Sequence, residues 1–130
     1  RFRLAAEATA AGKKAEALAQ YQGLADDTAT DSQLRGFAQL KAAEMRIDEA
    51  DFTEMQNRLT PLIVPNGTWN SSARELLGLA AYKAKNIDEA QKQFTVLISD
   101  PSVPQSLRQR AEMMLTLIAA DTAKPAAATN

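Results

Sequence analysis

Three pairs of adjacent acidic residues are the side chains of this sequence best placed to do chemistry: Asp26-Asp27, Asp48-Glu49 and Asp88-Glu89. Two neighbouring carboxylates can act as general acid and general base, or hold a hard cation such as Ca²⁺. Each pair, however, coincides with a predicted helix boundary, where acidic side chains cap helices and interact favourably with the helix dipole. We therefore interpret the pairs as capping residues and not as an active site.

The sequence contains no cysteine and no histidine. Disulfides, thiol nucleophiles, imidazole bases and zinc ligation by these residues are thereby excluded. Its 15 basic and 16 acidic residues leave a net charge of -1, which does not provide the basic face that nucleic acid requires. We predict that the chain is not an enzyme, takes no cofactor or metal, and does not bind nucleic acid.

Two further patterns have an ordinary structural explanation beside a functional one. The segments 66–68 and 70–72 match the N-glycosylation pattern, but Asn, Gly and Ser are also the residues of turns. Arg108 and Arg110 could grip a carboxylate or a phosphate, yet two cations on a solvated helix are common. We favour the turn for the first pattern and the solvated helix for the second.

The elements that carry these residues are predicted to be helices. The chain has 130 residues, enough for one domain, and only five glycines and five prolines. Apolar residues recur at a helical period, with Leu4, Leu34 and Trp69 among those expected to face the core. No apolar run approaches the ~20 residues that span a bilayer. The predicted helices cover about 4–11, 14–25, 32–45, 48–62, 69–84, 88–98 and 105–118.

An internal repeat appears when the chain is compared with itself at an offset of 73 residues. Ala17 then aligns with Ala90, and Tyr21 with Phe94, while Glu54 is expected at the same position in the middle unit. This offset is about twice the 34-residue period of repeats that stack helix pairs. We predict an all-α solenoid of about three helix hairpins plus a C-terminal capping helix over residues 1–121, followed by a flexible Ala/Pro-containing tail over 122–130.

The third hairpin resembles the tetratricopeptide repeat. It carries a Leu77-Gly78 pair, small residues at Ala81 and Ala90, and an aromatic residue at Phe94. In such repeats the small residues allow the paired helices to approach closely, and the aromatic ring fills the gap to the next pair.

The amino-acid sequences of segments 72–83 and 100–111 resemble one family in particular. It is the tetratricopeptide-like soluble domain of the ancillary SecYEG translocon subunit (YfgM), in its alphaproteobacterial form. The resemblance implies a domain on the periplasmic face of the inner membrane, following one N-terminal membrane helix. It also implies protein partners, namely translocon subunits, periplasmic chaperones or exported chains, and no catalytic residues. Because the chain begins at Arg1, within a helical pattern, we expect membrane association only through an upstream segment absent from this sequence.

The predicted binding groove lies on the first helix of each pair, where residues off the core stripe point into the concave face. These residues are Arg35, Gln39, Glu75, Leu79, Tyr82 and Lys83. Leu79 and Tyr82 would form an apolar contact site, with the charged Lys83 and Glu75 at its edge. Tyr82 could equally pack against the neighbouring helix pair.

The alternative hypothesis is self-association of the domain as a homodimer. The last helix would supply the apolar face: Met114 is expected to seal the stack, whereas Met113 could be core or part of a binding stripe.

Overall fold

The computed structural model describes residues 1–123, and this part of the chain is entirely helical, without a strand. The predicted all-α class is therefore confirmed. A short 3-10 helix, Thr60–Leu62, follows the fourth α-helix. The α-helices are α1 (Phe2–Ala10), α2 (Lys14–Asp26), α3 (Ser32–Arg46), α4 (Phe52–Leu59), α5 (Asn70–Lys83), α6 (Ile87–Ser99) and α7 (Gln105–Thr122).

Three of the α-helices, α3, α4 and α6, begin at a side-chain cap, but the acidic pairs are not those caps. Asp31 accepts a hydrogen bond from the amide of Gln33 at 3.2 Å, and Asp51 accepts one from the amide of Glu54 at 2.8 Å. Of the three acidic pairs, only 88–89 lies in the first turn of a helix. Pair 26–27 ends α2, at the predicted helix boundary, whereas pair 48–49 lies in the turn after α3, so the prediction that it opens the fourth helix is wrong.

The fourth helix begins four residues later than predicted, at Phe52 instead of Asp48. Residues 47–51 form the turn that reverses the chain, and the amides of Glu49 and Ala50 bond back to the carbonyl of Arg46. Pro61 lies in the 3-10 helix that follows α4, which agrees with the predicted helix stop.

A large buried residue occupies the same place in α2, α4 and α6, seven positions after the first helical residue. It is Tyr21 in α2, Leu59 in α4 and Phe94 in α6, and all three are at most 7% exposed. The expectation that Glu54 takes this place is wrong, because Glu54 lies in the first turn of α4. The middle unit therefore follows the pattern of the other two with an aliphatic residue.

Each of these large residues lies in the same part of the core as a small buried residue that lies 16 positions earlier, on the preceding helix. The small residue lets the two helices approach closely, and the large one fills the space beside it. The three pairs are Ala5 with Tyr21, Ala43 with Leu59, and Gly78 with Phe94.

Most residues that are identical in the two halves of the sequence repeat occupy similar environments, but Leu4 and Leu34 do not. Ala17 and Ala90 are both fully buried. Leu4 is 52% exposed, because α1 packs mainly against α2 and leaves its other side open. Leu34 is 48% exposed, although its counterpart Leu107 packs with the buried Val103, a position that Thr30 takes in the first half. The predicted burial of Leu4 and Leu34 is wrong.

Consecutive helices pack against each other, and α3 and α7 both contact α5. Several side-chain hydrogen bonds join different helix pairs, and their partners are separated by 35 or 36 residues. They are Lys14 to Glu49, Arg58 to Gln22, Trp69 to the carbonyl of Gln33, Lys83 to Asp48, and Arg110 to Glu75.

Within residues 1–123, no helix combines the length and the apolar character needed to cross a membrane. Thr122 is the last residue of α7, so the helix takes in the first position of the predicted tail. The remainder of that tail, residues 124–130, lies outside the described residues.

Candidate functional site

The six predicted groove residues do not share one cavity. Gln39 lines a cleft of about 730 Å³ between α2, α3 and α4, which we call the Gln39 cleft. Tyr82 and Lys83 line a second cleft of about 440 Å³ at the ends of α5 and α7, the Tyr82 cleft. Arg35, Glu75 and Leu79 line neither of these clefts, so the structure does not bring the predicted groove residues together.

Glu54 and Arg58, which line the Gln39 cleft, form an ionic cluster with Arg46. Glu54 accepts hydrogen bonds from Nε of Arg46 at 2.8 Å and from Nε of Arg58 at 2.9 Å. The bonds from Arg46 and then Arg58 lower the pKa of Glu54 to about 2. A carboxylate held this firmly in its charged form is a poor general acid or base near neutral pH, so the cluster fixes α4 in place and is not suited to catalysis.

The other carboxylates of this cleft also have structural partners. Asp51 caps α4, and Asp26 accepts a hydrogen bond from the Gln22 side chain at 3.2 Å. Sequence reasoning did not identify the cluster of Arg46, Glu54 and Arg58. The four-residue spacing from Glu54 to Arg58 does predict the ion pair between these two residues on one face of a helix, but nothing comparable predicts the bond from Arg46.

Arg35 lies one helical turn before Gln39, on the same side of α3. The residue is half-buried, and its Nε atom is the one buried side-chain polar atom within residues 1–123 that has no hydrogen-bond partner. A buried donor without an acceptor costs about 1–3 kcal/mol, and because this nitrogen is shielded from solvent, an oxygen can reach it only if the Arg35 side chain moves.

The Tyr82 cleft is closed on one side by a contact between α5 and α7. The hydroxyl of Tyr82 donates a hydrogen bond to the carboxylate of Asp121, and this bond raises the pKa of Tyr82. The Tyr82 ring also packs against the core formed by α6 and α7. The contact is the one expected from the alternative interpretation, in which Tyr82 packs on its neighbour.

The other predicted groove residues on α5 contact neighbouring elements. Nε of Arg110 donates to Glu75 at 2.7 Å, and Glu75 in turn raises the pKa of Arg110. Lys83 donates to the carbonyl of Ile47 at 3.2 Å, and the half-buried Leu79 packs with the α6–α7 core. Glu75, Lys83 and Tyr82 thus all hold α5 against its neighbours.

The last helix exposes an apolar side. Met113 is 71% exposed and Leu117 is 43% exposed, whereas Met114 is half-buried and packs with the α6–α7 core. The predicted sealing role of Met114 agrees with this packing, and Met113 belongs to the exposed side.

In the part of the chain that the structure describes, no group of three acidic side chains is arranged to hold a metal ion. No protein-family model matches the chain, and neither a curated protein nor a solved structure matches it significantly.

Proposed function

We propose that the chain is a tetratricopeptide-like stack of three helix pairs completed by α7. Two regularities support the proposal: the small and large residues spaced 16 apart within each pair, and the hydrogen bonds between pairs at separations of 35 or 36 residues. A repeating architecture buries a continuous core between neighbouring units and leaves an extended surface for partners.

On this architecture, the function we propose is non-catalytic docking of protein partners. In the full protein the domain would be anchored to the inner membrane and face the periplasm, where it assists the translocon and periplasmic chaperones. The support for this setting is the resemblance of segments 72–83 and 100–111 to the translocon-subunit family. The absence of histidine and cysteine and the structural use of the cleft carboxylates agree with a role in docking.

The observation that carries the docking proposal is the unpartnered Nε of Arg35. A carbonyl or carboxylate of a docked segment would supply the missing acceptor once the Arg35 side chain turns outward to meet it, and a hydrogen bond to a charged group contributes about 1.5–3 kcal/mol. Gln39, one turn further along α3, brings the segment into the Gln39 cleft.

The test is capture of partners by the full-length membrane form in mild detergent. We expect translocon or chaperone components to be recovered, and Arg35→Gln combined with Gln39→Ala to reduce their recovery about tenfold. The matched control is Arg108→Gln, since Arg108 occupies the position of Arg35 in the second half of the repeat. Absence of both classes of protein from the captured material would refute the proposal.

A second double variant tests the Tyr82 cleft separately. Leu79→Ala with Tyr82→Ala should weaken capture if the occupant extends along α5, while far-ultraviolet circular dichroism shows unchanged helical content. Equal capture by wild type and this double variant would limit the docking site to α3.

A further inference from the structure

The Asn66–Gly67 peptide lies in an exposed turn between the 3-10 helix and α5. The amide of Gly67 donates a hydrogen bond to the carbonyl of Val64 at 3.0 Å, and Asn66 follows Pro65 and adopts a φ of +60°. Proline at the second position and a positive φ at the third are features of a type II turn. The pair therefore forms a tight turn, as its residue types predict, and the Asn66 side chain meets solvent.

An asparagine followed by glycine is also the dipeptide most prone to deamidation, because glycine has no side chain to shield its nitrogen. That nitrogen attacks Cγ of the asparagine and forms a cyclic imide. The side-chain amide leaves as ammonia, which recovers through solvent the proton that the glycine nitrogen lost. Water then opens the imide at either carbonyl and gives aspartate or isoaspartate. Among the five glycines of the sequence, Gly67 alone follows an asparagine.

The folded turn opposes this reaction at the attacking nitrogen. The nitrogen must lose its proton, yet the N–H of Gly67 is held in the hydrogen bond to Val64. It must also rotate towards the Asn66 side chain, yet residue 67 has little room to move. A Cβ atom placed there would lie 2.8 Å from Cγ2 of Val64 and 3.1 Å from its carbonyl oxygen. The reaction therefore waits for the turn to open.

Asn70 strengthens the same turn. Its side-chain amide donates a second hydrogen bond to the carbonyl of Val64, and its backbone amide donates to the carbonyl of Gly67 at 3.3 Å. Asn70 is the first residue of α5. The turn consequently opens only when it separates from the start of that helix.

We propose that Asn66 is a site of spontaneous deamidation that the folded turn protects, so that the modification accumulates only while residues 64–67 are open. The reaction consumes water and requires no enzyme or cofactor. It is independent of the docking function proposed above, because it uses neither Arg35 nor Gln39.

The two products of the reaction differ in their effect on the turn. Isoaspartate carries the chain through its side-chain carbon, which adds one methylene group to the backbone path at residue 66 and displaces the Gly67 amide from Val64. Aspartate keeps the original backbone and adds only a negative charge. The isoaspartyl product therefore cannot close the same turn, whereas the aspartyl product can.

Trp69 follows the turn directly and connects it to α3. Its indole Nε1 donates to the carbonyl of Gln33 at 3.1 Å, and its ring lies against Gly36, where an added Cβ atom would be 2.5 Å from Cδ1. A contact this close depends on the position of the chain that enters α5. Loss of the turn should accordingly loosen the indole from α3.

The first experiment compares the full 130-residue chain with a synthetic peptide of residues 60–72 under the same mildly alkaline conditions. Peptide mapping by mass spectrometry measures the conversion of Asn66 to the acid. We expect the folded chain to deamidate at least about tenfold more slowly than the peptide, and the chain in denaturing urea to match the peptide. Equal rates for the folded chain and the peptide, or no conversion of Asn66 in urea, would overturn the proposal.

Asn70→Asp tests the protecting contact. The change keeps the size of the side chain and its acceptor for Arg74, but removes the donor to Val64. Deamidation of Asn66 should become about threefold faster or more in the folded chain. The same change in the peptide is the control and should leave the rate unaltered. An unaltered rate in the folded variant, or an equal rise in the peptide, would contradict protection by the turn.

The isoaspartyl chain, purified from the mixture by chromatography, tests the effect of the product. Its Tm should be lower by about 3 °C or more than that of Asn66→Asp, and its Trp69 emission should lie at longer wavelength. Asn66→Gly is the matched reference, because glycine adopts the positive φ and cannot deamidate. Identical Tm and emission for the isoaspartyl chain and Asn66→Asp would show that the turn tolerates the modification, which overturns the proposed link between the two.

Discussion

Gly78 lies directly beneath the ring of Phe94. A Cβ atom placed on residue 78 would be 2.8 Å from Cζ of that ring and about as close to both Cε atoms. The ring cannot move aside freely, because Phe94 is fully buried between α5, α6 and α7. The glycine is therefore required by the close approach of two helices, in a position where alanine would otherwise suit a helix better.

Gly78→Ala should consequently destabilise the protein. Overpacking costs ~1–3 kcal/mol, and the better helix propensity of alanine returns ~1 kcal/mol, so we expect a net loss of about 1 kcal/mol in the free energy of unfolding. Urea denaturation measures it. Phe94→Leu should remove the clash, so that Gly78→Ala becomes neutral or stabilising in that background; additive effects of the two changes would contradict the account.

Phe37 stands at the centre of an aromatic cluster that joins all three helix pairs. Its ring lies 5.8 Å from Phe2, 6.5 Å from Tyr21 and 5.7 Å from Trp69. We expect Phe37→Ala to cost about 2–3 kcal/mol, at the lower end for aromatic truncation because Phe37 is half-buried.

The single tryptophan reports on this cluster directly. Trp69 fluorescence should shift to longer wavelength in native Phe37→Ala, because the indole loses its neighbour and gains water. Phe94→Leu is the control: Phe94 lies in the core that α5, α6 and α7 share, to which Trp69 does not belong, so stability should fall while the native emission of Trp69 stays constant. Identical emission changes in both variants would argue against a local effect.

Local signals in the sequence predicted the helices and several of their ends. Gly12 adopts a φ of +74° where the first helix was expected to stop, and Asp31 caps α3 immediately before residue 32, where that helix was predicted to begin. These features depend on residues close together in the chain. The start of α4 was misplaced because Asp48 and Asp51 are both good capping residues, and only the tertiary turn at 47–51 decides between them.

Contacts between helix pairs could not be predicted in the same way. The sequence marks Tyr82 as an aromatic residue off the core stripe, but its bond to Asp121 depends on how α7 crosses α5, 39 residues later. Likewise, nothing local shows that Arg46 would meet Glu54, or that Arg35 would keep a buried nitrogen without a partner.

The ionic cluster at Glu54 predicts acid sensitivity. The pKa of Glu54 falls from its ordinary value of 4.5 to about 2 in the folded protein, so the charged carboxylate contributes stability above pH 4.5. That contribution is lost as the pH falls from 4.5 towards about 2. Glu54→Gln should therefore lower the unfolding free energy at neutral pH and flatten its decline in acid.

The measurement is urea denaturation at a series of pH values between those two limits. Glu112→Gln is the control, since Glu112 is an exposed carboxylate on α7. The account fails if wild type and Glu54→Gln lose stability in parallel throughout this range.

At the alkaline end, the bond from Tyr82 to Asp121 predicts a loss of stability. The bond, burial and the neighbouring negative charge raise the folded-state pKa of Tyr82 above 10.0, so the protonated phenol contributes stability that is complete below pH 10 and is lost as the pH rises through the raised value. Tyr82→Phe should lower Tm near neutral pH, because the hydrogen bond to Asp121 is gone, yet make Tm fall less steeply in alkali.

Ultraviolet absorbance in a Tyr21→Phe background follows the Tyr82 phenol alone, and Asp121→Asn should bring its titration to lower pH. A Tyr82 titration that Asp121→Asn does not move would show that the carboxylate is not the cause.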